Sequence, residues 1–99
     1  MSNSKTKSKT LEEILAEAGI STEEQHESRL IIWNDDVNSF EWVEYCLMTI
    51  LGFTYDKAEK TAWTIHIQGQ EVVRTGSKEE LEPYKKLLEE KLLTVSIED

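Results

Sequence analysis

One cysteine, one proline, four glycines and only 11 basic residues against 20 acidic ones are the scarcities of this 99-residue chain, and each removes a class of protein. A lone Cys46 cannot close an internal disulfide, so the fold must be held by a core rather than by staples. No apolar run approaches the ~18 residues of a bilayer crossing, and no membrane association is expected. The opening residues, which include Lys5, Lys7 and Lys9, lack the apolar stretch of a secretory leader, and a cytoplasmic setting is the expectation. A net charge of −9 argues against DNA and RNA, because phosphate binding draws on clustered Lys and Arg. The chain is also too short for two cores of useful size, which leaves one small domain.

The charge that is present is uneven. Residues 1–9 carry three lysines and no acid, whereas residues 10–28 carry six glutamates and neither Lys nor Arg. With no aromatic residue in it, the stretch 1–28 reads as a flexible, disordered N-terminal extension, and 29–99 as the core domain. Inside the extension, Thr10 and Glu13 have the spacing of a capping box, and Leu11, Ile14 and Leu15 could form one short amphipathic turn before Gly19. Such a turn could dock onto a partner or fray.

From Arg29 the pattern sharpens. Leu30-Ile31-Ile32-Trp33 is β-branched and aromatic, bounded by polar residues, and predicts a strand, expected at the centre of a sheet. Ser39 can cap a helix over Phe40 to Leu51 with Val43, Leu47 and Ile50 on one face and Gly52 as its stop. Thr54 can cap a second, from Tyr55 to Gln68, with Tyr55, Ala58, Ala62 and Ile65 on one stripe and Gly69 as terminator. Glu71 to Thr75 predicts a strand. Ser77 with Glu80 then opens a third helix carrying Leu81, Tyr84, Leu87 and Leu88, which tolerates Pro83 only near its start. Leu93 to Ile97 alternates apolar with polar, the period of a half-buried strand. The order β-α-α-β-α-β implies an α+β two-layer sandwich, a three-stranded antiparallel sheet with three helices on one face. Strand order does not follow from the sequence.

Where the first strand stops, Asn34-Asp35-Asp36 delivers several acceptor oxygens and no cation to one place, which suits a ligand with N–H donors and positive charge. Asn and Asp also end strands simply as turns. A calcium loop fails on spacing: counting from Asn34, Ser39 stands where glycine is required and Tyr45 where a bidentate glutamate is. Asp35, Asp36 and His66 could in principle serve a transition metal or a small enzyme, yet the only other histidine is His26, in the extension. Cys46 sits beside an apolar helical stripe and reads as core, and no serine stands in a recognisable nucleophile motif. His66 follows Ala62 by one helical turn and adjoins Ile65, so its ring would sit against an apolar wall. Acceptors beside an apolar wall point to a small amphipathic ligand, possession of a metal or a purely structural role being the alternatives.

Taken together, Leu30 to Asp36, Phe40-Glu41-Trp42-Val43, Ala58 to His66 with Gly69, and the closing Leu93 to Glu98 resemble the ClpS family, adaptors of the bacterial ATP-dependent Clp protease, over residues 29–98. The resemblance implies a non-enzymatic adaptor without cofactor or metal that binds N-degron proteins or peptides by their first residue, Leu, Phe, Tyr or Trp. It implies that Asn34, Asp36 and His66 accept hydrogen bonds from the substrate's α-ammonium, while Asp35 and Asn38 help hold the first peptide unit. It places the pocket for the first side chain on Phe40, Val43, Ala62, Ile65 and Leu93. It also implies a monomer delivering substrate to the N-terminal domain of a ClpA- or ClpC-type unfoldase, through a surface including Glu79 and Glu82, with Tyr84 at a family lysine and Lys85 as the nearest substitute. The family commonly has methionine at the positions of Phe40 and Ala62 and Thr-Pro at Asn38-Ser39, so the pocket here is expected to be shifted in shape.

Overall fold

Leu30 and Ile32 point to one side of their strand and Ile31 to the other, and this alternation fixes where the helices must lie. The computed structural model describes residues 10–17 and 27–99. In chain order they form α1 (Leu11–Glu17), β1 (Ser28–Trp33), α2 (Phe40–Leu51), α3 (Tyr55–Gln68), β2 (Gln70–Gly76), α4 (Lys78–Glu90) and β3 (Thr94–Glu98). β1 is central in an antiparallel sheet of order β2-β1-β3. A register shift between Leu30 and Ile31 marks an irregularity in the β1–β2 ladder. Leu30 and Ile32, fully buried, join Leu47, Ile65, Leu81 and Leu88 in the helix-facing core. On the opposite face the Trp33 indole N–H donates to Ser96 Oγ at 2.8 Å, tying β1 to β3.

The helix ends carry the capping chemistry expected of them. Ser39, Thr54 and Ser77 accept from the backbone N–H of Trp42, Lys57 and Glu80, and Ser77 with Glu80 completes a capping box. Gly52 and Gly69 close α2 and α3 in the left-handed region, at φ 73° and 92°. α4 ends differently: Leu92, not a glycine, takes φ 70°, and the Leu93 N–H returns to Leu88 O at 3.1 Å.

Three details differ from expectation. Tyr55, in the first turn of α3, is exposed because the helix's first turn rises above the core that Ala58, Ala62 and Ile65 enter. Leu87 is exposed too, since only one of two adjacent helical positions can face the sheet and Leu88 occupies it. The turn expected at Thr10 is a seven-residue helix, with the Thr10–Glu13 capping box formed in both directions at 3.0 and 3.2 Å. Ser28, expected as the last residue of the flexible extension, is instead the buried first residue of β1, and residues 1–9 and 18–26 of that extension lie outside the described residues.

Candidate functional site

The site grows from the place where β1 ends. The Asn34 N–H donates to Gly69 O at 2.9 Å, so the last turn of α3, with His66 on it, is fastened to the end of the strand. Gly69 presents its carbonyl to that bond from the left-handed region, at φ 92°, a conformation glycine adopts without a Cβ penalty.

Asp35 is the hub of the turn that follows. Its Oδ1 accepts from the Val37 and Asn38 N–H groups at 3.0 and 2.9 Å. Its Oδ2 accepts from the Asn38 amide at 3.0 Å and from the Thr94 hydroxyl at 2.8 Å. The same Asn38 Nδ2 donates to Leu92 O at 2.8 Å, which holds the left-handed residue after α4. Partial burial pushes the Asp35 carboxyl up; the Asn38 N–H, Thr94, the Asn38 side chain and the Val37 N–H act against it and leave the pKa below its ordinary value. Asp35 and Asn38 thus hold the loop together by bonds within the protein.

Asn34, Asp36 and His66 behave in the opposite way. All three are exposed, and among the described residues no hydrogen-bond donor reaches their side chains. They open on a cavity of about 480 Å³ whose apolar walls include Phe40 and Val43 of α2 and Ala62 and Ile65 of α3. Ala62 and Ile65 are buried, so this wall continues directly into the core. The cavity therefore joins outward-facing acceptors to apolar surface, a combination suited to an amine bearing an apolar group.

Of the residues singled out in the sequence, Asn34, Asp35, Asp36, Asn38, Phe40, Val43, Ala62, Ile65 and His66 line this one cavity. Leu93 does not; it is a core residue, 5% exposed, just before β3. Ser39, Glu41, Glu59 and Trp63 line it as well and were not anticipated. Trp63 is the most consequential of these. Its ring packs against Phe40 with centroids 4.8 Å apart and meets the edge of His66 at 5.9 Å. Its place three residues before His66 was the available signal, masked because Trp63 lies off the buried stripe of α3.

Glu79, Glu82, Tyr84 and Lys85 all lie on α4, well away in the chain from the acceptor turn, with Tyr84 on a different side of the helix from the other three. Glu79 and Glu82 are exposed, Lys85 pairs with Glu89 at 3.1 Å, and the Arg74 guanidinium lies 4.5 Å above the Tyr84 ring. Among the described residues no group of three or more His, Cys, Asp or Glu side chains is arranged to hold a metal ion, and no helix is long and apolar enough to cross a membrane.

Comparison with known proteins places the chain in a family. The family model described as ATP-dependent Clp protease adaptor protein ClpS matches residues 23–95. An ATP-dependent Clp protease adapter protein ClpS from Corynebacterium glutamicum is 36% identical over 52 residues, 52% of each chain. One from Streptomyces coelicolor is 40% identical over 52 residues, 52% of this chain and 54% of that one. The chain thus spans about half the length of the curated relatives it matches. The solved structure of Agrobacterium tumefaciens ClpS2 bound to L-phenylalaninamide shares the fold, with TM-score 0.69 at 21% identity, over 76% of this chain and 96% of that one. The chain belongs to the ClpS family of ATP-dependent Clp protease adaptor proteins.

Proposed function

We propose that this protein is a non-catalytic adaptor that binds the free α-amino group and bulky apolar first residue of N-degron substrates, Leu, Phe, Tyr or Trp, and delivers them to a Clp unfoldase-protease. The observation that carries the reading is the union, in one cavity, of the unpartnered acceptors Asn34, Asp36 and His66 with the apolar wall of Val43, Ala62 and Ile65. An α-ammonium has three donors, and three acceptors on two separate elements can meet them. The ligand named for the Agrobacterium tumefaciens relative, L-phenylalaninamide, has the same two halves, a free amine and an apolar side chain. In this reading Asp35 and Asn38 act chiefly by shaping the turn that presents Asn34 and Asp36 to the amine.

Magnitudes explain why both halves are required. Burying a Leu or Phe side chain is worth ~2–3 kcal/mol and a hydrogen bond to a charged group ~1.5–3. After the loss of rotational and translational freedom, only their sum reaches the about −8 kcal/mol of micromolar binding. An internal leucine, which lacks the amine, is thereby rejected.

Delivery is assigned to a different surface. Glu79 and Glu82 on α4, with Lys85 one turn on along the same side, form the face for the N-terminal domain of a ClpA- or ClpC-type unfoldase, while Tyr84, two residues from Glu82, lies on another side of the helix against the Arg74 guanidinium. The protein would act as a cytoplasmic monomer without cofactor. The site is tested by titrating L-phenylalaninamide into isotopically labelled protein. The expected chemical-shift changes cluster at Asn34, Asp36, Ala62 and His66; changes confined to α4, or none at millimolar ligand, would contradict the assignment.

A further inference from the structure

The cavity holds more than amine capture uses. Glu59 and Trp63 lie one turn apart on the same face of α3, both lining it, and Glu41 enters from α2 beside Phe40. Trp63 is 49% exposed even though Phe40 and His66 pack against it, so part of the indole surface faces the space outside the apolar wall. An indole in that position is large, rigid and electron-rich on its face. No Lys or Arg is among the cavity's lining residues, and no described ion pair engages Glu41 or Glu59. The field of Glu59 is felt nearby, where it is the first cause, ahead of Glu44, raising the exposed Tyr55 phenol above its ordinary range.

Resting on the amine-capture reading above, we infer that Trp63 and Glu59 are specificity-determining residues for the substrate's second position, selecting a cationic side chain, Lys or Arg, there. In this placement the second residue continues along α3, from His66 toward Glu59. With the α-amine beside His66 and the first side chain against Ala62, Glu59 lies seven residues before His66, roughly 10 Å along the axis. The second Cα lies ~3.8 Å beyond the first, and an extended Lys or Arg side chain spans most of the remainder. Its cationic head would lie over the exposed part of the Trp63 ring with the Glu59 carboxylate beyond it. A cation over an indole and an exposed ion pair are each modest contributions, together about tenfold in affinity at low salt. An acidic second residue meets Glu59 and Glu41 with like charge instead.

The test uses the full chain and four labelled peptides that differ only at the start: Phe-Lys, Phe-Ala, Phe-Glu, and N-acetylated Phe-Ala. The expected order of affinity is Phe-Lys above Phe-Ala above Phe-Glu, with Phe-Lys and Phe-Glu about tenfold or more apart at low salt and the gap shrinking as salt is added. In Glu59→Gln the ratio of Phe-Lys to Phe-Ala should fall about threefold, and in Trp63→Leu by a similar factor. Ratios are compared rather than affinities, and circular dichroism confirms each variant's fold. If Phe-Ala binds and its acetylated form does not, but Lys and Glu at the second position bind alike, the amine reading stands and this inference is overturned. If the ratio is large but unchanged in both variants, the inference is likewise overturned. If acetylation makes no difference, the amine reading fails and takes this inference with it.

Discussion

The Thr94 hydroxyl donates to Asp35 Oδ2 at 2.8 Å across 59 residues of sequence, so the final strand of the sheet fixes the turn from which the side chains of Asn34 and Asp36 project. Two adjacent carboxylates therefore stand in different surroundings. Asp35 is turned inward and saturated with donors, and Asp36 is turned outward and exposed.

Asp35→Ala is predicted to damage the fold as well as the site. It removes the common acceptor of Val37, Asn38 and Thr94, and the expected cost is about 2 kcal/mol, roughly 10 °C in Tm. Thermal unfolding of the variant checks this; an unchanged Tm would show that the hub is dispensable.

The same carboxylate predicts a particular acid sensitivity. Its pKa in the folded protein lies below that of an unfolded aspartate, so its stabilising contribution is fully present above about pH 4 and is lost as pH falls through the folded value. The stability gap between the natural protein and Asp35→Asn should narrow steadily below about pH 4. A gap constant from pH 6 to pH 2 would contradict the assignment.

Asp36→Ala and His66→Ala should do the converse. Each side chain is exposed and takes no hydrogen bond from a described residue, so Tm should move little. Affinity for a Phe-initiated peptide should fall by ~1.5–3 kcal/mol in each, because a charge-assisted acceptor is lost. Paired melting and anisotropy measurements separate the two effects.

Ala62 sets the depth of the apolar wall, being buried at 3% exposure while lining the cavity. Ala62→Met would extend into that space and is predicted to weaken Trp-initiated peptides about tenfold relative to Leu-initiated ones. Equal losses for the two would mean that the first side chain lies elsewhere.

Local chemistry made much of this legible in the sequence. Ser39, Thr54 and Ser77 announced three helices because a cap needs only its own first turn, and Asn34-Asp35-Asp36 beside His66 announced a polar site because the residue types alone fix what they accept. What escaped depended on distant partners. Val37 and Asn38 bind Asp35 from within its own turn, but the bond that fastens it to the sheet comes from Thr94, which its neighbours in the chain do not reveal. Leu93 has the apolarity of a pocket residue but is drawn into the core beneath α4, where the chain turns back toward β3. Trp63, off the buried stripe of its own helix, gained its place from Phe40 on the neighbouring one.

The central claim is that the cavity reads a charged N-terminal amine together with an apolar side chain, and its most direct test is the affinity of one Phe-initiated peptide before and after N-acetylation. Acetylation removes the positive charge and two of the amine's donors while leaving the benzyl group intact. The free peptide should bind with micromolar affinity and the acetylated one at least about 100-fold more weakly. Equal dissociation constants for the two would contradict the claim.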